Sequence, residues 1–127
     1  MVEFDHINIH ADDPELVADF LISVLGVKLG PIPDGFAVTW LYAGDQAIIH
    51  IRHRTPEDIA ASQGIDRGRG WIDHVAFGPF DFDDTVAKLE TLKLNFKTSG
   101  IASLGLRQIF VVGPEGIKLE LKCPNAV

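Results

Sequence analysis

The 127-residue sequence is poor in cysteine, in basic side chains and in long apolar runs. Its single cysteine, Cys123, has no partner for an internal disulfide, which points to a reducing compartment. Lys plus Arg number 11 against 18 Asp plus Glu, a formal net charge of -7 with a pI near 5.0. A surface of that sign repels phosphate backbones and anionic lipid, so neither nucleic acid nor a membrane is an expected partner. No apolar run approaches the roughly 20 residues of a membrane-spanning helix. The opening VEFDHIN has neither the basic nor the apolar segment of a secretory leader, so the expected localisation is cytoplasmic. No GxSxG, P-loop or Rossmann glycine pattern occurs, which leaves serine-hydrolase and nucleotide chemistry without support. Arg67-Gly68-Arg69-Gly70 is one short copy in an acidic chain and reads as linker, not as an RNA-binding tract.

What is present is an ordinary globular balance, 46% hydrophobic and 23% charged, at a length that fits one domain spanning 1–127. Within it the chain repeats itself. FDHINI at 4–9 returns as IDHVAF at 72–77, so that Asp5-His6 matches Asp73-His74. An acidic cluster follows each copy, Asp12-Asp13-Pro14-Glu15 and then Asp81, Asp83 and Asp84, as suits a helix start. Leu16, Val17, Phe20, Leu21, Val24 and Leu25 mark the apolar face of the first helix, which Gly26 ends; Phe82, Val86, Leu89 and Leu92 mark the second. Strand patterns follow at Val27–Leu29, Phe36–Tyr42 and Gln46–His53, then at Asn95–Thr98, Leu106–Val112 and Ile117–Lys122. Each half therefore predicts strand–helix–strand–strand–strand: module 1 at 1–53, a linker at 54–70 with a short helix near Pro56–Ser62, and module 2 at 71–127.

Strand parity sorts the polar residues. Ile7, Ile9, Ile49 and Ile51 share one side in the first half, as do Val75, Phe77, Leu119 and Leu121 in the second. The opposite, helix-free side then carries His6, His50, His74 and Glu120. These four stand at repeat-equivalent places, since His50 follows His6 by 44 residues and Glu120 follows His74 by 46. Three imidazoles and a carboxylate are a donor set for a first-row divalent metal: Zn, Ni, Mn or Fe. Arg52, Lys118 and Lys122 share this parity and Arg107 lies on the adjacent strand, which makes Arg52, Lys118 and Arg107 candidates for holding a substrate carboxylate. Trp40 and Tyr42 have matching parity and are candidate pocket walls. His10 and His53 lack repeat partners, and nothing beside Cys123 in sequence points to reactive thiol chemistry.

The two DH motifs, AIIHI at 47–51 and GPEGIKLEL at 113–121 together resemble the vicinal oxygen chelate superfamily, which includes glyoxalase I, extradiol dioxygenases, fosfomycin-resistance enzymes and bleomycin-resistance proteins. The resemblance spans nearly the whole chain. It implies an α+β fold of two tandem βαβββ modules in a cupped mixed sheet, with a metal on the concave face and helices outside. It implies His6, His50, His74 and Glu120 as metal ligands, a small-molecule substrate, and a homodimer in which sites are built across chains. The shared chemistry is capture of two adjacent substrate oxygens by the metal. In an isomerase or lyase, Glu120 is the proton shuttle; in a non-haem Fe or Mn dioxygenase, His6, His74 and Glu120 bind the metal and His50 moves protons. Phe110 stands where ring-cleaving relatives carry a tyrosine, Ile101, Ala102 and Ser103 where they carry a histidine, and His50 where glyoxalase I carries a glutamate. A third reading is a non-catalytic drug-binding protein, like the bleomycin-binding members, which generally lack the ligands.

Overall fold

Helix and strand starts follow local chemistry in a computed structural model that describes residues 1–61 and 72–125. The Arg67–Gly70 linker reading lies outside the described residues. Two compact units divide the chain, Met1–Asp66 and Arg67–Val127.

The first unit runs β1 (Ile7–Ala11), α1 (Pro14–Leu25), β2 (Lys28–Leu29), β3 (Val38–Ala43), β4 (Gln46–His53) and α2 (Pro56–Ala61). Its sheet has the order β1-β4-β3-β2, with β1 parallel to β4 and the other pairs antiparallel. Asp13 caps α1 by accepting from the Leu16 amide at 3.1 Å, and Pro14 opens the first turn. Gly26 closes the helix at φ 76°, a left-handed conformation in which its N–H reaches the Ile22 carbonyl at 3.0 Å. The buried face is Val17, Ala18, Phe20, Leu21 and Val24. Leu16, expected inside, is 51% exposed. Leu16 and Ala18 flank the apolar stripe on opposite sides, and only the Ala18 flank is covered. Leu41, Ile49 and Ile51 complete this core from the sheet, as the alternation of β4 requires.

The second unit repeats the plan: β5 (Val75–Phe77), α3 (Phe82–Thr91), β6 (Asn95–Ile101), β7 (Leu106–Val112) and β8 (Lys118–Pro124) in the sheet order β5-β8-β7-β6. Asp81 caps α3 through the Asp84 amide at 2.9 Å. Thr85 and Leu89 are its buried residues, whereas Leu92 lies past the last turn as the C-cap and is 40% exposed. Ile109, Val111, Leu119, Leu121 and Cys123 form the core side of the sheet. The α+β fold is thus two four-stranded mixed sheets built from βαβββ repeats, as the sequence pattern predicted.

Two strand starts differ from expectation in a way that bears on the site. β1 begins at Ile7 and β5 at Val75, so His6 and His74 each stand one residue before a strand. Neither ring belongs to a ladder, but each keeps the parity of the strand that follows it.

Candidate functional site

Register places the paired candidates in equivalent positions of the two units. In the first, His50 is flanked by Asn8 of β1 and Trp40 of β3. In the second, Glu120 is flanked by Ala76 of β5 and Phe110 of β7. Residues paired across a ladder share a face, so each middle strand presents one donor between two neighbours, on the side away from its core.

The first unit stacks its donors. His6 and His50 lie with ring centroids 3.8 Å apart at 14°, and Trp40 covers the other face of His50 at 4.1 Å and 12°. The His6 Nδ1–H donates to Asp5 Oδ2 at 2.6 Å, and the His50 Nε2–H donates to the Ala47 carbonyl at 3.2 Å. Both partners can only accept, which assigns the tautomers and leaves lone pairs on His6 Nε2 and His50 Nδ1. The Ala47 carbonyl comes within reach at an irregularity in the β3–β4 ladder, where the register shifts between Leu41 and Tyr42. Burial, then the neighbouring His6, lowers the pKa of His50 below its ordinary 6.5 and keeps it neutral, the form in which an imidazole binds a metal.

The second unit holds a chain of polar contacts instead. Asp73 Oδ2 accepts from His74 Nδ1 at 2.8 Å and from Lys118 Nζ at 3.0 Å. His74 Nε2 then faces Glu120 Oε1 at 3.1 Å, while Gln108 Nε2 donates to Glu120 Oε2 at 3.2 Å. Phe110 meets the His74 ring edge-on, with centroids 5.4 Å apart. Glu120 is only 8% exposed, a costly place for a carboxylate without compensation. With its Nδ1 proton committed to Asp73, a neutral His74 turns a lone pair toward Glu120 Oε1, itself an acceptor. Two acceptors at this distance repel unless a proton or a metal cation lies between them.

Arg52 makes a two-pronged pair with Asp58, 3.0 Å at each guanidinium nitrogen, and donates to His10 Nε2 at 2.9 Å. Lys118 bridges to Asp73 and lies 5.7 Å above the Phe110 ring. Trp40 is on the face of His50. Tyr42 has its hydroxyl tied to the Pro31 carbonyl at 2.6 Å and its ring against Gly30, where a β-carbon would approach to 2.5 Å. Arg107 is not brought to the Glu120 face: it pairs in register with Cys123 on the core side, its guanidinium 3.9 Å above the Phe82 ring of α3. Cys123 is fully buried, and burial raises its thiol pKa, which suits packing and not nucleophilic chemistry. Sequence reasoning missed Gln108 altogether and gave Asp5 and Asp73 no role, although the repeated Asp-His dipeptide carried that signal.

Among the described residues no group of three or more His, Cys, Asp and Glu side chains is gathered to hold a metal ion; each unit presents two donors. The donor chemistry nonetheless fits a divalent metal. The histidines carry the carboxylate or carbonyl partners that orient metal-binding imidazoles, and the buried carboxylate has an oxygen aimed at an imidazole lone pair. No helix among the described residues is long and apolar enough to cross a membrane.

No family model and no curated protein matches the sequence. Solved structures do match the fold. A Bacillus anthracis protein assigned to the glyoxalase family aligns with TM-score 0.72 at 19% identity, over 98% of this chain and 97% of that one. Lactoylglutathione lyase from Agrobacterium tumefaciens aligns with TM-score 0.68 at 17% identity, over 95% and 92%. The fosfomycin resistance protein FosX from Listeria monocytogenes aligns with TM-score 0.69 at 15% identity, over 98% and 95%. At such identities the likeness is one of fold, the paired βαβββ arrangement described above.

Proposed function

We propose that this protein is a metal-dependent enzyme of glyoxalase type, acting on a small oxygenated substrate by isomerase or lyase chemistry. His6, His50, His74 and Glu120 would hold a divalent metal of the Zn, Ni, Mn or Fe kind, with the four donors brought together in a homodimer. The observation that carries this reading is the opposed pair of His74 Nε2 and Glu120 Oε1 at 3.1 Å, each fixed from behind, by Asp73 and by Gln108.

When bound, the metal would supply Lewis-acid polarisation of two neighbouring substrate oxygens. The chain's own residues supply the rest. Asp5 and Asp73 hold the His6 and His74 rings with Nε2 presented, so neither imidazole has to be reoriented on binding. Glu120 accepts the substrate proton at Oε1, the oxygen that faces His74. Trp40 backs the His50 ring in the first unit, and Phe110 meets the His74 ring edge-on in the second. Arg52 and Lys118 serve a substrate carboxylate only by exchanging their present partners, Asp58 and Asp73.

A second reading has one observation in its favour. The His50 ring is stacked on both faces, against His6 at 3.8 Å and Trp40 at 4.1 Å, which favours a three-donor set of His6, His74 and Glu120 and hence a non-haem Fe or Mn dioxygenase. Oxygen uptake with a panel of catechols separates the two readings.

The deciding experiment is metal analysis of protein purified without added metal, followed by titration of the metal-free form with Ni, Zn, Mn and Fe(II). Binding at micromolar affinity or tighter is expected. Failure to bind any of them overturns both enzyme readings and leaves a small-molecule binding protein. The names of the solved likenesses direct the first turnover assays to lactoylglutathione and to fosfomycin.

A further inference from the structure

Gln108 is on β7, two residues from Phe110 and therefore diagonal to Glu120 across the β7–β8 ladder. Its carboxamide Nε2 donates to Glu120 Oε2 at 3.2 Å. A carboxylate offers two oxygens of equal basicity, and either or both can be given to a cation. Here the two are made unequal: Oε2 is spent on an amide from the neighbouring strand, and Oε1 faces the His74 lone pair. The repeat sharpens the point. His50 stands where Glu120 does, and its Nε2–H is likewise spent, on the Ala47 carbonyl, so that Nδ1 alone remains a donor. The place of Gln108 is taken in the first unit by Val38, which pairs with Arg52 as Gln108 pairs with Lys122. A valine has nothing to donate, and an imidazole has no second acceptor to restrain. The amide occurs in the unit whose donor has two acceptors.

We infer that Gln108 is a positioning residue that makes Glu120 a one-oxygen donor. The inference rests on the metal-site reading above. A carboxylate attached through one oxygen takes a single place in the coordination shell and leaves room for two substrate oxygens. It can also be released to take a proton at that same oxygen while Gln108 keeps it in place. Without the amide, both oxygens are free to grip the cation, which fills an extra place and makes release harder.

The test is infrared difference spectroscopy, zinc-loaded minus metal-free, on the full chain. The separation between the asymmetric and symmetric carboxylate stretches is wide for one-oxygen attachment and narrows for two-oxygen attachment. Wild type is expected to show the wide separation. Gln108→Met, close in length but without a donor, is expected to keep the zinc stoichiometry and the melting temperature and to show the narrow one. Gln108→Asn, which retains the amide but is one methylene too short, should behave as Gln108→Met does, and it carries the test if the methionine variant fails to fold. Variant spectra that superimpose on wild type overturn the role of Gln108 and leave the metal site standing. A wild type that binds no zinc and gives no difference bands overturns the metal reading, and the role of Gln108 with it.

Discussion

Asp73→Ala removes one carboxylate and, with it, the 2.8 Å hydrogen bond to His74 Nδ1 and the 3.0 Å bridge to Lys118 Nζ. The imidazole then loses the partner that sets its tautomer, and Nε2 is no longer held as the free donor. Outer partners of metal-bound imidazoles are worth about 10–100-fold in affinity, and each factor of ten is about 1.4 kcal/mol. The Asp73 side chain is 54% exposed, so water screens part of its effect, and about tenfold is the expected loss. Asp5→Ala provides the internal control. Its hydrogen bond to His6 is shorter, at 2.6 Å, but the side chain is 85% exposed, so a smaller loss of a few-fold is expected. Metal affinity is read by competition with a coloured chelator, at one pH and one salt concentration. Because both aspartates are exposed, unfolding in urea should shift by less than about 0.5 kcal/mol. Affinity unchanged within about twofold in Asp73→Ala would refute the argument that His74 is oriented for a cation. A large stability loss without an affinity loss would show that Asp73 serves the fold instead.

Other consequences are open to simpler measurements. Leu121 and Ile49 are wholly buried on equivalent strands of the two units, and truncating either to alanine should cost about 2–5 kcal/mol in urea unfolding. Asp81→Ala deprives the Asp84 amide of its cap and should cost about 1 kcal/mol, seen as a lower melting temperature with metal affinity unchanged. Asp58 is held well below its ordinary 3.8, first by the Arg52 guanidinium and then by the Thr55 amide. The folded state thus releases this proton more readily than the unfolded chain does. The stability it contributes is complete above pH 3.8 and is lost as the pH falls below that value. Asp58→Asn should therefore lower stability at neutral pH and flatten the acid limb of the urea midpoint against pH; an unchanged acid limb would contradict it.

The repeat was readable because its signals are local. An Asp-His dipeptide before an alternating strand, a carboxylate at a helix start and glycine-bearing turns all depend on neighbours in sequence. The bounds of β4 and β7 accordingly came out as predicted, at Gln46–His53 and Leu106–Val112. Helix faces were read less well, since periodicity names a stripe but not which flank is covered; Leu16 and Leu92 were the casualties. Arg107 is instructive in the other direction. It alternates with Ile109 and Val111, so parity alone put it on the core side, and its charge obscured that signal. Gln108 was not legible at all. Its contact with Glu120, 12 residues on in sequence, depends on the register of the β7–β8 pair, which no local pattern encodes.

The metal site at His74 and Glu120 is tested most directly by anomalous diffraction from crystals of the protein soaked in zinc or manganese. A peak is expected in bonding contact with both His74 Nε2 and Glu120 Oε1, about 2.0–2.2 Å from each when the metal is zinc. Fully occupied crystals with the peak elsewhere, or with Glu120 still hydrogen-bonded to His74 and no metal between them, would contradict it.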